Sequence, residues 1–184
     1  MRKVFLVVAV LYLVASPAEA VETDGRLGLG ADYAKHITVT YGLSRGRVVG
    51  GGLGLVSTEQ ADGGTDLHLN LGGFYQHPVA RGDRAGLYLD FGLEFASIDG
   101  FDGGAGTLPV AEAGVPDHRT TTIWTPHVGL TVRVWMGRDF SLTATHGLAL
   151  DLIHPPGGAD SRTNFRTFSG DLTEVSFSYW LDAR

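Results

Sequence analysis

The sequence contains no cysteine among its 184 residues. This absence excludes a disulfide framework and any metal site built on thiolates. Lysine is almost as scarce, since Lys3 and Lys35 are the two in the chain. The formal net charge of −6 provides no excess of basic residues, so a nucleic-acid partner is excluded. Beyond the first twenty residues no long unbroken apolar run occurs, which excludes crossing a membrane by helices.

Glycine, in contrast, is abundant, with 27 residues in the chain. The glycines are spread along the sequence without a G-X-Y period, so a collagen-like structure is excluded. A length of 184 residues suits one domain with one core. A glycine-rich, cysteine-free and moderately apolar composition favours a β-rich envelope protein over a cytosolic enzyme.

The first twenty residues have the three parts of a secretory signal peptide. Met1-Arg2-Lys3 is positively charged, residues 4–15 are apolar, and Ala18-Glu19-Ala20 forms a small-x-small cleavage site. The apolar stretch is shorter than the roughly 20 residues that a transmembrane helix needs. We therefore predict a signal peptide over residues 1–20 and a barrel domain over residues 21–184, with an uncleaved N-terminal anchor as the alternative.

Alternation of apolar and polar residues recurs from Leu27 to Leu181 and predicts β-strands. The clearest case sets Leu87, Leu89, Phe91, Leu93 and Phe95 against Tyr88, Asp90, Gly92 and Glu94. The pattern predicts eight strands, at residues 26–33, 37–43, 47–57, 66–77, 85–96, 121–136, 140–153 and 168–181.

The predicted connections alternate between two lengths. Residues 44–46, 79–84 and 137–139 form short connections, and residues 57–65, 97–120 and 154–167 form longer ones. Membrane barrels alternate in this way between periplasmic turns and outer loops. The first connection, residues 34–36, is short for an outer loop, and merging residues 26–43 into one strand would reduce the count to seven. We predict an all-β fold: a closed, antiparallel, eight-stranded, up-and-down transmembrane β-barrel.

The placement of charge predicts that the apolar face contacts lipid. Almost every arginine falls at a strand end or in a connection, and Arg133 is the exception. On the lipid face at the bilayer midplane, an arginine would cost about 2–4 kcal/mol. The polar face is rich in glycine, threonine and serine, which leaves room inside a narrow barrel for Tyr88, Trp135 and Trp180. The alternative is a soluble periplasmic barrel that carries a ligand in an apolar cavity.

This pattern resembles the small outer-membrane β-barrel families, the OmpA-like and OmpX-like proteins. The resemblance covers Leu27 to Leu181 and is one of pattern, without a shared motif. It implies location in the outer membrane, contact with membrane lipid and lipopolysaccharide, folding by the outer-membrane assembly machinery, and a monomer with a filled polar interior. Those families usually end on an aromatic residue, whereas here Tyr179 and Leu181 are followed by Asp182-Ala183-Arg184.

The alternation also places several charged side chains on the inner face. A buried charge must be paired or hydrogen-bonded, so we predict an interior network that stiffens the barrel, with Arg133 paired to Asp90. A narrow polar conduit gated by the same pairs is the alternative. The predicted members are Asp90, Glu94, His127, Arg133, Asp151 and Glu174.

His146 falls on the outward, apolar side of its predicted strand. The lipid A deacylases are also eight-stranded outer-membrane barrels, with a lipid-facing histidine and a serine two residues later. Here that position is Leu148, and Thr145 lies on the other face, so the nucleophile of a hydrolase is missing. We predict no catalytic residue, no cofactor and no metal site, and a non-enzymatic structural or surface role, with a lipid A-modifying enzyme as the alternative.

Overall fold

The computed structural model describes residues 23–32, 36–59, 65–99, 120–155, 160–167 and 173–182. Within them a 3-10 turn at Ser44–Gly46 joins the second and third strands, and no helix in these ranges is long and apolar enough to cross a bilayer. The strands are β1 (Arg26–Asp32), β2 (Ile37–Gly42), β3 (Val48–Glu59), β4 (Thr65–Arg81), β5 (Ala85–Asp99), β6 (Thr120–Trp135), β7 (Phe140–His154), β8 (Arg162–Thr167) and β9 (Thr173–Asp182).

Strands β1 to β7 each pair antiparallel with the next strand in the chain. Both β8 and β9 pair with β7, β8 along Leu148–Ile153 and β9 along Phe140–His146. They are therefore the two halves of one wall strand. Because β9 also pairs with β1, the sheet closes. The predicted closed, antiparallel, eight-stranded, up-and-down barrel is confirmed.

The short first connection does separate two strands. Ala31 of β1 registers opposite Ile37 of β2, and the pairing continues to Leu27 opposite Tyr41. Asp32 closes the end of this hairpin, since its carboxylate accepts a hydrogen bond of 2.8 Å from the backbone N–H of His36. The count of eight wall strands therefore holds.

The prediction that the outer loop extends to residue 167 was wrong. The chain is already extended at Arg162–Thr167, within the predicted outer loop 154–167. In this segment Arg162, Asn164 and Arg166 alternate with Thr163, Phe165 and Thr167, so Phe165 is the one apolar residue on the outer face. An alternation of apolar and polar residues could not detect a strand that is polar on both faces.

Strands β4 and β5 run beyond their predicted ends. β4 continues to Arg81 through a bulge at Pro78/Ala80, because proline lacks the N–H that the regular ladder needs. The turn between them shortens to residues 82–84. At their other ends β5 continues to Asp99 and β6 begins at Thr120; residues 100–119 of the predicted long loop lie outside the described residues, as does the predicted signal peptide.

The wall separates apolar from polar side chains as the alternation predicted. Outward residues such as Leu130 and Phe91 are 51% and 45% exposed, whereas Asp90 and Thr131 on the inner face are 2% and 0% exposed. The short turns, the start of β1 and the end of β9 all lie at one end of the barrel, which we call the turn end. We call the opposite end the loop end. The buried aromatic side chains of Tyr88, Trp135 and Trp180 lie in the interior near the turn end.

Candidate functional site: the barrel interior

A packed layer fills the interior at the turn end. The rings of Trp135 and Trp180 contact each other with centroids 5.4 Å apart, and Val48 packs beside them. The indole N–H of Trp180 donates to Ser141 Oγ at 2.8 Å. Arg26 covers the layer from the turn side, where its guanidinium contacts the side chains of Asp139 and Asp182. The buried indole N–H of Trp180 is therefore satisfied.

Arg133 lies directly above this layer. Its guanidinium carbon is 5.0 Å from the ring centroids of both Tyr88 and Trp180, which is cation–π distance. Arg133 Nη2 donates to Gln76 Oε1 at 2.7 Å, and Gln76 Nε2 donates to Asp90 Oδ2 at 2.7 Å. The predicted direct pair between Arg133 and Asp90 is therefore bridged by an amide.

The register explains why Gln76 intervenes. Arg133 of β6 lies opposite Gly86 of β5, and Asp90 is four residues farther along β5. Gln76 lies opposite Asp90 on β4, so its side chain occupies the space between the two charges. Gln76 could not be identified from the sequence, because a neutral amide carries no charge signal.

Asp90 accepts hydrogen bonds from three side chains on the inner face. Besides Gln76, Thr131 Oγ1 lies 3.2 Å from its carboxylate, and His127 Nε2 lies 3.2 Å away. The other ring nitrogen of His127, Nδ1, is 3.6 Å from Glu94 Oε1. The imidazole thus lies between two carboxylates, and the structure brings together Asp90, Glu94, His127 and Arg133.

Asp151 lies apart from this group, nearer the loop end. Its carboxylate accepts 2.9 Å and 2.7 Å hydrogen bonds from Thr125 Oγ1 and Arg166 Nη2. Arg166 had been predicted in a connection, but it belongs to β8 and faces inward opposite Ala149. The backbone of Glu174 pairs with Thr145, and its side chain lies outside the described residues.

A second histidine–carboxylate pair lies on the opposite wall. His36 Nδ1 is 2.7 Å from Asp32 Oδ2, and the carboxylate is 3% exposed. This pair could not be identified from the sequence, because His36 fell in a predicted connection, where a polar residue has no inward or outward assignment.

These groups surround a cavity of about 490 Å³ in the half of the interior nearer the loop end. The predicted filled interior therefore describes the turn end, where Trp135, Trp180 and Tyr88 pack. Side chains from both walls line the cavity, among them Asp32, His36, Thr38, Asn70, Phe74, Asp90, Glu94, His127, Arg133 and Arg166. Among the described residues no group of three or more histidine or acidic side chains is arranged to share a metal ion.

His146 occupies the position predicted for it. On β7 it registers opposite Leu130 of β6 and Thr173 of β9. Leu130 is on the outer surface, and the strand alternation puts His146 on that same surface. Gly147, which follows it, packs so closely against Gly129 that a Cβ there would meet the carbonyl oxygen of Val128 at 2.2 Å. The tight backbone contact fixes this part of β7 against β6.

Comparison with known proteins adds one likeness in fold. No protein-family model matches the chain, and no curated protein matches it either. Among solved structures, the chain is similar to the N-terminal β-barrel domain of Pseudomonas aeruginosa OprF, with a TM-score of 0.40 and 11% sequence identity. The similarity covers 85% of this chain and 94% of that one.

Proposed function

We propose that this chain is a small outer-membrane barrel of a Gram-negative envelope. The main support for this proposal is the outer surface of the barrel. The outward positions of the described strand side chains, from Leu27 to Leu181, include no aspartate, glutamate, lysine or arginine. The large apolar side chains exposed there include Leu53, Leu93, Leu130, Phe177 and Leu181, each at least 42% exposed. A continuous apolar surface of this kind needs a lipid environment.

Aromatic side chains lie toward both margins of this apolar surface. Tyr41 and Tyr179 are near the turn end, while Trp124 and Phe165 are near the loop end, and all four are at least 41% exposed. Tyrosine and tryptophan favour the interface between lipid and water, because each combines an apolar ring with a polar group. Their placement supports a barrel that spans a bilayer with both margins at an interface.

The arrangement of polarity argues against the soluble carrier. A soluble carrier barrel would expose polar side chains and enclose an apolar cavity. Here the apolar side chains face outward, and the cavity is lined by Asp90, Glu94, His127 and Arg133 with several threonines. In water, the outer surface would cause association rather than solubility.

We further propose a non-enzymatic role in which the chain acts as a monomer, contacts membrane lipid and lipopolysaccharide, and folds with the outer-membrane assembly machinery. The signal peptide over residues 1–20 and the mature start at Val21 are part of this proposal.

The non-enzymatic role can be tested on lipid A. Lipid A from cells that express the chain should have the same mass as lipid A from cells that express His146→Ala. Loss of an acyl chain that depends on His146 would overturn the non-enzymatic role.

The test of membrane residence uses two single variants. In each, arginine replaces one of two exposed apolar residues that are near each other in the chain. Leu130 is 51% exposed within β6, and Met136 is 53% exposed just beyond its end. In lipid, Leu130→Arg should lower the free energy of unfolding by about 2–4 kcal/mol. Met136→Arg should change it little, because the side chain reaches the headgroup region.

Unfolding in urea with lipid vesicles present measures both variants, and the difference in migration between boiled and unboiled samples reports the folded fraction. The folded barrel should migrate differently before and after boiling. If both arginine variants are as stable as the parent chain, and all three are soluble without detergent, the barrel does not reside in a membrane.

A further inference from the structure

The interior is a cup, closed at one end and hollow toward the other. Trp135, Trp180 and Val48 form its closed end, with Tyr88 and Arg133 directly above them. The hollow half measures about 490 Å³, within the range of about 300–1,000 Å³ that is typical of small-molecule sites. A site of this shape suits a small solute that is held inside the barrel and does not pass through the packed layer.

The charges around the cavity are unequally compensated. Arg166 is paired with Asp151 at 2.7 Å. Arg133 is 2% exposed, donates to Gln76 and contacts two aromatic rings, while its Nε and Nη1 have no hydrogen-bond partner among the described residues. Asp90 already accepts from three donors. Glu94 instead has His127 Nδ1 at 3.6 Å as its nearest described partner and is 50% exposed. Glu94 is therefore a carboxylate available to a cation in the cavity.

Two further groups on the cavity wall suit the same kind of ligand. Thr38 is 6% exposed, and its hydroxyl has no hydrogen-bond partner among the described residues. A buried hydroxyl without a partner is uncommon, and a χ1 rotation that turns Thr38 Oγ1 toward the cavity would allow it to accept from an ammonium N–H. Phe74 lines the cavity as well, and an aromatic ring attracts cations at its face.

From these observations we propose that the cavity binds a small solute that carries ammonium groups. Glu94 forms a charge-assisted hydrogen bond with one ammonium group, Thr38 accepts a second hydrogen bond, and Phe74 contacts the methylene chain. Divalent metal ions are a poorer match, since no three ligating carboxylate or histidine side chains converge in the described residues. The proposal goes beyond the function proposed above and does not depend on which membrane holds the barrel.

The experiment compares two four-carbon probes of opposite charge, putrescine and succinate. Each is titrated into the refolded full chain in detergent and followed by calorimetry and by tryptophan fluorescence, because Trp135 and Trp180 lie at the closed end of the cup. Putrescine should bind and succinate should not. The difference in migration between boiled and unboiled samples confirms, separately, that the barrel is folded.

Two carboxylate variants then locate the site. Glu94→Gln removes the charge with little change in shape and should weaken putrescine binding by about tenfold or more. Asp83→Asn removes a charge from the turn between β4 and β5 and should leave the affinity unchanged. Equal binding of the two probes, absence of putrescine binding to the folded barrel, or equal affinity of Glu94→Gln and the parent chain would each overturn the proposal.

Discussion

The two halves of the barrel interior have the same backbone and opposite contents. Inward positions near the turn end carry Trp135, Trp180 and Tyr88, which are 5%, 1% and 3% exposed. Inward positions nearer the loop end carry glycines such as Gly52 and Gly72 and surround the cavity. A barrel of eight strands has an interior just wide enough for side chains. The volume of the inward side chains therefore decides whether a given level is solid or hollow.

The charged groups differ between the halves in the same sense, although the buried hydroxyl of Thr23 at the turn end also has no hydrogen-bond partner among the described residues. At the turn end Arg26 contacts Asp139 and Asp182, and the Trp180 indole is bonded to Ser141. Around the cavity, Glu94 and the hydroxyl of Thr38 have little or no compensation. Groups that are fully bonded contribute to stability, and groups that are incompletely bonded are available to a ligand. The turn end thus stabilises the fold, and the loop end holds the candidate site.

The largest expected effect tests this division directly. Trp180→Ala removes the most buried large side chain of the packed layer and leaves Trp135 and Val48 beside a void. The free energy of unfolding should fall by about 3–5 kcal/mol. Thr38→Ala at the cavity wall removes a hydroxyl that has no described partner and should change it by less than about 0.5 kcal/mol. Urea unfolding with lipid vesicles measures both; similar losses would show that the two halves stabilise the barrel equally.

A smaller effect is expected at the boundary between the halves. Arg133→Met removes two cation–π contacts and leaves Gln76 Oε1 without its donor, which should cost about 2–3 kcal/mol. Arg138→Met is the control, since that side chain is 76% exposed at a turn. The same unfolding assay applies. Equal, near-zero effects of both changes would show that Arg133 contributes as little to the free energy of unfolding as the side chains around the cavity.

A second variant tests the amide bridge. Asp90→Asn in the Arg133→Met background should recover part of the lost stability, because it removes the carboxylate that loses its nearest guanidinium. Additive losses in the double variant would contradict the coupling of Arg133 to Asp90 through Gln76.

The sequence predicted which way each side chain faces better than which side chains meet. Strand alternation has a period of two, so Tyr88, Trp135 and Trp180 could be assigned to the interior without a structure. Contacts depend on the stagger between strands, which alternation does not fix. This is why Asp90 and Arg133 were predicted as direct partners although Gln76 lies between them.

The sequence also does not show how each strand pairs with its neighbours, and this limited the prediction of contacts. The segment Arg162–Thr167 is polar on both faces except at Phe165, so neither β8 nor the inward placement of Arg166 could be inferred from hydrophobic periodicity. The Asp32–His36 pair depends on how tightly β1 and β2 are connected. Such details follow from pairing geometry rather than from composition.

Glycines in the hollow half differ in what lies over them, and this difference allows the smallest test. The ring of His127 covers Gly92 so closely that a Cβ added there would lie 2.2 Å from Cε1 and 2.3 Å from Nε2. The position of the imidazole between Asp90 and Glu94 therefore requires glycine at residue 92. Over Gly72, in contrast, the nearest atom to an added Cβ would be Glu94 Cγ at 3.4 Å, an ordinary van der Waals distance.

Gly92→Ala should consequently displace the His127 ring and lower the free energy of unfolding by about 1–2 kcal/mol. Gly72→Ala adds the same methyl group on the neighbouring strand and should change the stability by less than about 0.5 kcal/mol, because the flexible Glu94 side chain can adjust. Urea unfolding measures both, and the NMR shifts of the His127 ring report its displacement. If Gly92→Ala leaves those shifts and the stability unchanged, the imidazole does not contact Gly92. The side chains around the cavity are then less tightly packed than the hydrogen bonds of Asp90 indicate.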